Sequence, residues 1–252
     1  MESANAAVDR HVHRMSPKSS YACVGVQQVF KDSDRDFMAK NMKIVVESIE
    51  SKLNEPFFAE FKEIATSSIS KYIEAIKDFE ASGQHRDLMY AIDNQAEEAI
   101  RAHFCEIVDG ISNDDAIQVL DALRYSFSCY AYNGLHQLYT RQQNESWHPK
   151  VVLTEILEPN DIESLPNILA LYRGCDIGEL ENYSFGQAWT TSLECAREFA
   201  YVHYRDQEWF DESRRIVLET RYAKTHVLFS DQSTEFEVVI DAGKLGVVRK
   251  HS

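Results

Sequence analysis

The sequence is short of basic residues, and its acidic excess runs along the whole chain. Lys and Arg total 26 against 41 Asp and Glu, a net charge of −15. Residues 1–150 carry 16 basic and 23 acidic residues, a net charge of −7, and residues 151–252 carry 10 and 18, a net charge of −8. Neither half has the basic surface typical of proteins that grip nucleic acid or an anionic membrane without sequence preference, so both functions are disfavoured.

The sequence also lacks paired cysteines and long apolar runs. Its five cysteines are an odd number with no CxxC spacing, which predicts free thiols rather than a disulfide framework or a structural zinc site. No basic region followed by an apolar segment occurs near residue 1, so we expect no signal peptide, and the sequence contains no apolar run of 18 residues. We therefore expect a cytoplasmic protein that does not associate with a membrane. Its 252 residues are enough for one large domain or two small ones.

The first part of the chain is predicted to be helical. Residues 1–20 contain no aromatic residue and read as a disordered leader. From about Phe37 to Tyr139, apolar residues recur at steps of three and four, and neither 57–82 nor 84–109 contains glycine or proline. The last of these helices is expected to open at Asn113 and to break at Asn133-Gly134. We interpret 21–145 as a helical bundle or platform of unknown role.

Residues 146–252 have a composition and pattern typical of strands rather than helices. Short β-rich runs occur at 169–173, 185–191, 215–220, 226–229, 235–240 and 246–249, with one convincing helix from Leu193 to about Tyr204. Strands with so few helices between them favour an α+β fold over a doubly wound sheet. The expected architecture is thus a helical unit followed by a mixed β-sheet core.

Three short motifs in the strand-rich part are candidates for a functional site. The first is Tyr172-Arg173-Gly174, where an arginine ends an apolar strand and a glycine allows close backbone approach. Such an arginine suits a phosphate or carboxylate clamp, and the alternative is a surface arginine at a strand end.

The second motif, Trp189-Thr190-Thr191-Ser192, joins a strand to the helix that begins at Leu193. Capping explains one or two of its hydroxyls, because Thr191 with Glu194 fits a capping box and Ser192 is also a suitable N-cap. Capping does not account for Thr190, whose hydroxyl serves either local structure or a functional site.

The third motif is Glu235-Phe236-Glu237, which opens an apolar run. Residues i and i+2 of a strand share a face, so both carboxylates are expected to point the same way. Like charges at this spacing are unfavourable unless they are solvated or used, which leaves a solvated strand edge as the alternative to a site.

Taken together and in this order, the three motifs resemble the mono-ADP-ribosyltransferases of the Arg-Ser-Glu class. This family includes bacterial binary toxins, type III effectors, vertebrate ectoenzymes and phage enzymes that modify host proteins. The resemblance covers about 80 residues, from Ala170 to Lys250, and includes Ala196-Arg-Glu-Phe-Ala200 after the hydroxyl triplet. One departure is Thr190, where the family usually has serine; threonine keeps the hydroxyl and adds a methyl group.

The resemblance implies that NAD is consumed as a substrate and that no metal is needed. Glu237 would hydrogen-bond the nicotinamide ribose and counter its developing positive charge, Thr190 would orient Glu237 by a hydrogen bond, and Arg173 would grip the pyrophosphate. Trp189 or Tyr204 would line the nicotinamide pocket. The NAD-binding residues implied by the two upstream motifs are Tyr172, Arg173, Gly174, Trp189, Thr190, Thr191 and Ser192.

The resemblance also implies an acceptor. In the family, glutamate at the position of Glu235 goes with arginine as the acceptor, so the expected product is a protein carrying ADP-ribose on an arginine. Phe229 and Phe236 flank this segment and would touch the target protein. The alternatives are an NAD glycohydrolase, a transferase acting on nucleic-acid bases, and a catalytically silent interaction module.

The biological setting follows only loosely from the resemblance. A phage enzyme or the toxin of a toxin–antitoxin or defence system suits the size of the chain better than a secreted effector. The helical part would then recognise the target, bind an inhibitor or antitoxin, or brace the core.

Overall fold

A computed structural model describes residues 29–83, 94–141, 147–207 and 209–251. The predicted leader over residues 1–20 lies outside the described residues.

The helical prediction for the first part of the chain is confirmed over the described residues. A 3₁₀ helix, Pro56–Phe61, begins at Pro56 and leads directly into the third α-helix. The five α-helices are α1 (Asp32–Lys40), α2 (Val46–Leu53), α3 (Lys62–Ala81), α4 (Gln95–Val108) and α5 (Asp114–Thr140).

Helix α5 begins and bends where the sequence predicts. The Asn113 side chain accepts a hydrogen bond from the amide of Ala116, which makes Asn113 the N-cap. Asn133 and Gly134 have non-helical dihedral angles, and Gly134 has a φ of 63°, a conformation that favours glycine. The kink directs the last turns of α5 toward the sheet, since His136 and Tyr139 pack edge-on against Phe229.

The second part of the chain contains one antiparallel six-stranded sheet, in the order β4-β5-β2-β1-β3-β6. Two helices accompany it, α6 (Gly178–Glu181) and α7 (Leu193–Tyr201). The α+β class is therefore confirmed, but the expected mixed sheet is wrong, because every pairing between the described strands is antiparallel. Five of the predicted β-rich runs overlap β1 to β5, and the run 246–249 meets β6 only at Arg249. The strands are β1 (Ile168–Asp176), β2 (Ala188–Thr190), β3 (Arg215–Ala223), β4 (Val227–Asp231), β5 (Glu237–Ile240) and β6 (Arg249–Lys250).

Helices cover one face of the sheet at two separate places. Phe229 of β4 and Val239 of β5 belong to the hydrophobic core of the helical part. On the other side of the sheet's centre, Ala196 and Ala200 of α7 pack on Val217 of β3. Because alternate strand residues share a face, the register puts both packing sites on the same face. A cleft is left between them, above β2.

The helical part shares a core with one face of the sheet, whereas the other face has a core of its own, which includes Leu171, Leu218 and Ile240. Besides Phe229 and Val239, the helices bury Val151, Leu153 and Leu157, which precede the sheet. The backbone of Ile44 also pairs with Val151 as an isolated β-bridge. The helices therefore fix one wall of the cleft directly.

No helix in the described ranges combines the length and the apolar character needed to cross a membrane.

Candidate functional site

An open cleft of about 1150 Å³ lies between the helical part, the sheet and α7. Its wall includes residues of all three sequence motifs, while Thr191 and Ser192 are not part of it. The motif residues that line it are Tyr172, Arg173, Gly174, Trp189, Thr190, Glu235 and Glu237.

Glu237, Thr190 and Tyr172 form one row across the centre of the sheet. Glu237 of β5 lies directly opposite Thr190 of β2, and Thr190 lies directly opposite Tyr172 of β1. Directly opposed residues of antiparallel strands have neighbouring side chains on the same face. The row continues to Glu219 of β3, whose carboxylate lies 2.6 Å from Nδ1 of His251.

The hydroxyl of Thr190 does not orient Glu237 as expected. It donates its proton to the backbone carbonyl of Glu235 at 2.9 Å and accepts from the amide of Ser192 at 3.0 Å. A hydroxyl has one proton to donate, so none remains for the Glu237 carboxylate. Thr190 is buried, and it ties the segment before β5 to the end of β2.

The other two hydroxyls of the triplet have structural roles. Ser192 is the N-cap of α7, since its side chain accepts from the amide of Cys195. The expected capping box at Thr191 is wrong, because Thr191 instead donates to the Gln232 side chain at 2.7 Å. Gln232 in turn donates to the Glu237 carbonyl at 3.1 Å.

Glu235 and Glu237 lie together in the cleft, but not as alternate residues of one strand. Strand β5 begins at Glu237, and the preceding Phe236 has a φ of 53°. Backbone in this left-handed region interrupts the alternation of a strand. Glu235 therefore lies on the exposed turn before β5, whereas Glu237 is half-buried.

Burial raises the pKa of Glu237 to about 7, and the negative charges of Glu235 and Asp231 add to the effect. Asp231 lies directly opposite Glu237 in β4. A carboxyl group in this state exchanges a proton near neutral pH. Strongly shifted groups of this kind in a cleft are frequent at functional sites.

Arg173 lies within β1, which continues three residues further to Asp176, so the expected strand-end position is wrong. Its Nε and Nη2 atoms donate to the two carboxylate oxygens of Glu179 at 2.9 and 2.8 Å. Its Nη1 donates to the carbonyl of Ala188 at 2.6 Å. The charge of Arg173 is thus matched by a carboxylate within the protein.

Arg173 also bridges two strands that diverge. Strands β1 and β2 share a single residue pair, Tyr172 with Thr190, whereas β1 and β3 pair along nine residues. Beyond that pair, the Arg173 guanidinium links β1 to the Ala188 carbonyl of β2. A Cβ atom on Gly186 would lie 2.6 Å from Arg173 Nη2, so the guanidinium packs directly on this glycine.

The expected aromatic contacts divide into two kinds. Trp189 lines the cleft but is almost fully buried, and its indole donates to the Gly186 carbonyl at 3.0 Å. Phe236 is exposed, as a contact with a target requires. The same expectation for Phe229 is wrong, because Phe229 is 1% exposed and packs against His136 and Tyr139 of α5.

Two residues that line the cleft lie outside the three sequence motifs. Tyr139 comes from α5 and lies near enough to Glu237 and Arg173 for both charges to affect its pKa, which burial raises strongly. Glu179 comes from the short helix α6. Helical periodicity marks Tyr139 only as core, and an acidic chain offers many candidates for the partner of Arg173.

Within the described residues, no group of three or more His, Cys, Asp and Glu side chains is arranged to hold a metal ion. The four cysteines described, Cys105, Cys129, Cys175 and Cys195, are free thiols.

Comparison of the chain with protein-family models, with curated proteins and with solved structures gave no match.

Proposed function

We propose that this protein transfers ADP-ribose from NAD to an arginine side chain of a target protein and releases nicotinamide. The observation that carries the proposal is the meeting of Glu237, Glu235, Thr190 and Arg173 in one cleft. These residues come from three separate motifs, with Thr190 lying 17 residues after Arg173 and Glu235 lying 45 residues after Thr190. On this proposal, the sheet with α7 is an ADP-ribosyltransferase-like core.

The proposed role of Glu237 is to stabilise positive charge. When the bond between nicotinamide and ribose breaks, the bonding electron pair leaves with nicotinamide and the ribose becomes oxocarbenium-like. A carboxylate fixed beside that carbon favours the transition state more than the ground state. The partly buried position of Glu237 supports this role, because electrostatic attraction is stronger away from bulk water.

The proposed role of Glu235 is to receive the acceptor. An arginine guanidinium attacks the ribose through a nitrogen and must lose a proton as the new bond forms. Glu235 is exposed at the cleft and close to Glu237, so it could attract the guanidinium and take that proton. The exposed Phe236 lies between them in sequence, on the side open to a target.

Thr190 and Arg173 act in this proposal by holding the cleft in shape. Thr190 fixes the Glu235 carbonyl, and Arg173 joins the diverging strands β1 and β2. A direct contact of Arg173 with the NAD pyrophosphate would require Glu179 to release at least part of the guanidinium.

The primary test is release of nicotinamide from NAD by the purified protein. We expect Glu237→Gln to reduce it by at least about a hundredfold, a loss on the scale of one electrostatic group. Glu219→Gln is the matched control, because Glu219 lies in the same row of the sheet but does not line the cleft. If the wild-type protein releases no nicotinamide and labels no macromolecule, the proposal fails.

The acceptor is tested by incubating the protein with labelled NAD and a bacterial lysate. Label on protein that neutral hydroxylamine removes would support arginine as the acceptor. Glu235→Gln should abolish this label while nicotinamide release persists. Label on nucleic acid, or free ADP-ribose alone, would instead favour a base-modifying enzyme or an NAD glycohydrolase.

A further inference from the structure

A second arginine, Arg215, lies at the far end of the same cleft. It is the first residue of β3, and its Nε and Nη2 donate to the carbonyls of Ala200 and Phe199 at 3.0 and 3.1 Å. These carbonyls belong to the last turn of α7, whose negative end attracts a cation. Two backbone carbonyls therefore hold the guanidinium in place at the wall of the cleft.

Among the described residues, no carboxylate forms an ion pair with Arg215, because Asp176, which lies directly opposite it in β1, is paired with Arg214. In the described ranges, no Asp or Glu oxygen lies within 4.0 Å of Arg215, and its Nη1 has no hydrogen-bond acceptor. Arg173 is paired with Glu179, and Arg214 is paired with Asp176 at 2.8 Å. Arg215 thus offers an anion an immobilised guanidinium with free N–H groups.

Aromatic rings surround this end of the cleft. The cleft wall here includes Phe199, His203, Tyr204 and Trp209, and Arg215 lies 5.9 Å from the ring centroid of Phe210. Tyr204 is buried against Trp209 with ring centroids 5.3 Å apart, while Trp209 is 49% exposed. Tyr204 also packs against Phe199, whose carbonyl holds Arg215, so the exposed ring of Trp209 lies at the same end of the cleft as the guanidinium. An aromatic ring so placed can stack on a base while the guanidinium binds phosphate.

This end of the cleft is well separated from Glu237. Arg215 lies four residues along β3 from Glu219, the member of the Glu237 row on that strand. Four residues correspond to about 13 Å along the strand, and three strand spacings across the sheet add about 14 Å in the perpendicular direction. Glu237 and Arg215 must therefore act on different parts of an elongated ligand.

We propose that Arg215 and the exposed ring of Trp209 bind the adenosine diphosphate half of NAD. This inference rests on the proposed function for the identity of the ligand. Arg215 takes the phosphate role that was expected of Arg173, and Trp209 stacks on the adenine. Tyr204 supports Trp209 from behind, which assigns it to the adenine end rather than to the nicotinamide pocket.

The experiment measures binding of ADP to the intact protein by calorimetry and by tryptophan fluorescence. We expect Arg215→Gln and Trp209→Ala each to weaken ADP binding by about tenfold or more. Arg214→Gln is the matched control, since Arg214 is the adjacent arginine and does not line the cleft. Its ADP affinity should stay within about twofold of wild type.

Two further variants keep the outcomes separable. Arg215→Lys keeps the positive charge but lacks the planar guanidinium, and it serves as the test variant if Arg215→Gln does not fold. Thermal denaturation shows whether each variant is folded. Glu237→Gln should lose NAD cleavage but keep ADP affinity within about twofold, because ADP lacks the ribose that Glu237 would contact. The inference is overturned if wild type does not bind ADP, or if Arg215→Gln and Arg214→Gln bind it equally.

Failure of the proposed function gives a different pattern. ADP binding that depends on Arg215, without release of nicotinamide from NAD, would support the nucleotide site and contradict the proposed transferase activity. NAD cleavage with a KM that Arg215→Gln leaves unchanged would support the enzymatic activity and contradict the proposed role of Arg215 in binding NAD.

Discussion

Arg173 and Glu179 form an ion pair with two parallel hydrogen bonds, at 2.9 and 2.8 Å, in the wall of the candidate site. Their side chains are 22% and 23% exposed. The sequence motif makes Arg173 a ligand-binding residue, whereas its three hydrogen bonds hold the site together. Its removal should therefore affect stability as well as binding.

We expect Arg173→Met to lower the free energy of unfolding by about 2 kcal/mol, because Glu179 would keep its partly buried charge without its cationic partner and with only the hydrogen bond from the Gly186 amide. Adding Glu179→Gln should recover part of the loss, as measured by urea denaturation of the single and double variants. The control pair is Arg214 with Asp176, which has similar geometry but is 49% and 42% exposed. Breaking it should have a much smaller effect. An equal loss at both pairs would contradict the assignment.

The pKa of Glu237 predicts the pH dependence of NAD cleavage. The carboxylate must be ionised to counter positive charge, so kcat/KM should rise with pH and level off above an inflection near 7. Glu235→Gln removes a negative charge that raises this pKa, so the inflection for nicotinamide release should move to lower pH. Glu212→Gln, at an exposed position that does not contribute to the shift, should leave it in place. An inflection that Glu235→Gln leaves unmoved would remove Glu237 as the titrating group.

The same pKa predicts a stability change that does not depend on the proposed function. The carboxyl of Glu237 titrates near 7 in the folded protein against 4.5 ordinarily, so the folded state holds its proton more tightly. The stability that the protonated Glu237 side chain contributes is fully present below pH 4.5 and is lost as the pH rises through 7. Glu237→Gln removes this dependence and should be more stable than wild type at pH 8 by up to about 3 kcal/mol.

Urea denaturation at pH 5 and pH 8 measures this difference. The two proteins should differ less at pH 5, where Glu237 is mostly protonated in the folded state. A wild-type advantage at pH 8 would show that Glu237 is not destabilised by burial.

We expect Thr190→Ser to preserve the stability of the protein and Thr190→Val to reduce it. The Thr190 hydroxyl links the Glu235 carbonyl to the Ser192 amide, and the side chain is 6% exposed. Thr190→Val keeps the shape but leaves both groups without this partner, and we expect a loss of about 1–2 kcal/mol. Thr190→Ser should restore most of the stability and the transfer activity in the labelling assay. Equal stability of the two variants would exclude the bridging role.

The sequence predicted elements and cleft residues better than it predicted contacts. Alternation and turn residues located five of the six strands and the start of α7, and the Asn113 cap and the Gly134 kink were readable because they depend on local chemistry. The Arg173–Glu179 pair and the packing of Phe229 under α5 depend on tertiary contacts. Phe236 shows the limit most clearly, because nothing local in Glu-Phe-Glu signals a positive φ at a bulky residue.

Gly174 is the motif residue whose role the structure defines most sharply. A Cβ atom at this position would lie 2.2 Å from the Ala196 carbonyl oxygen and 2.5 Å from the Ala200 amide nitrogen. Both are backbone atoms of α7, so no side-chain rotation can relieve the clash. We expect Gly174→Ala to push α7 away from β1 and to lower the free energy of unfolding by about 3 kcal/mol.

Gly110→Ala is the matched control for this prediction, because a Cβ atom there would meet nothing within 4 Å. Thermal and urea denaturation of the two variants measure the contrast. Since α7 carries the carbonyls that hold Arg215, Gly174→Ala should also weaken ADP binding, which Gly110→Ala should not. A Gly174→Ala protein as stable as the control would mean that α7 does not rest on β1 this closely.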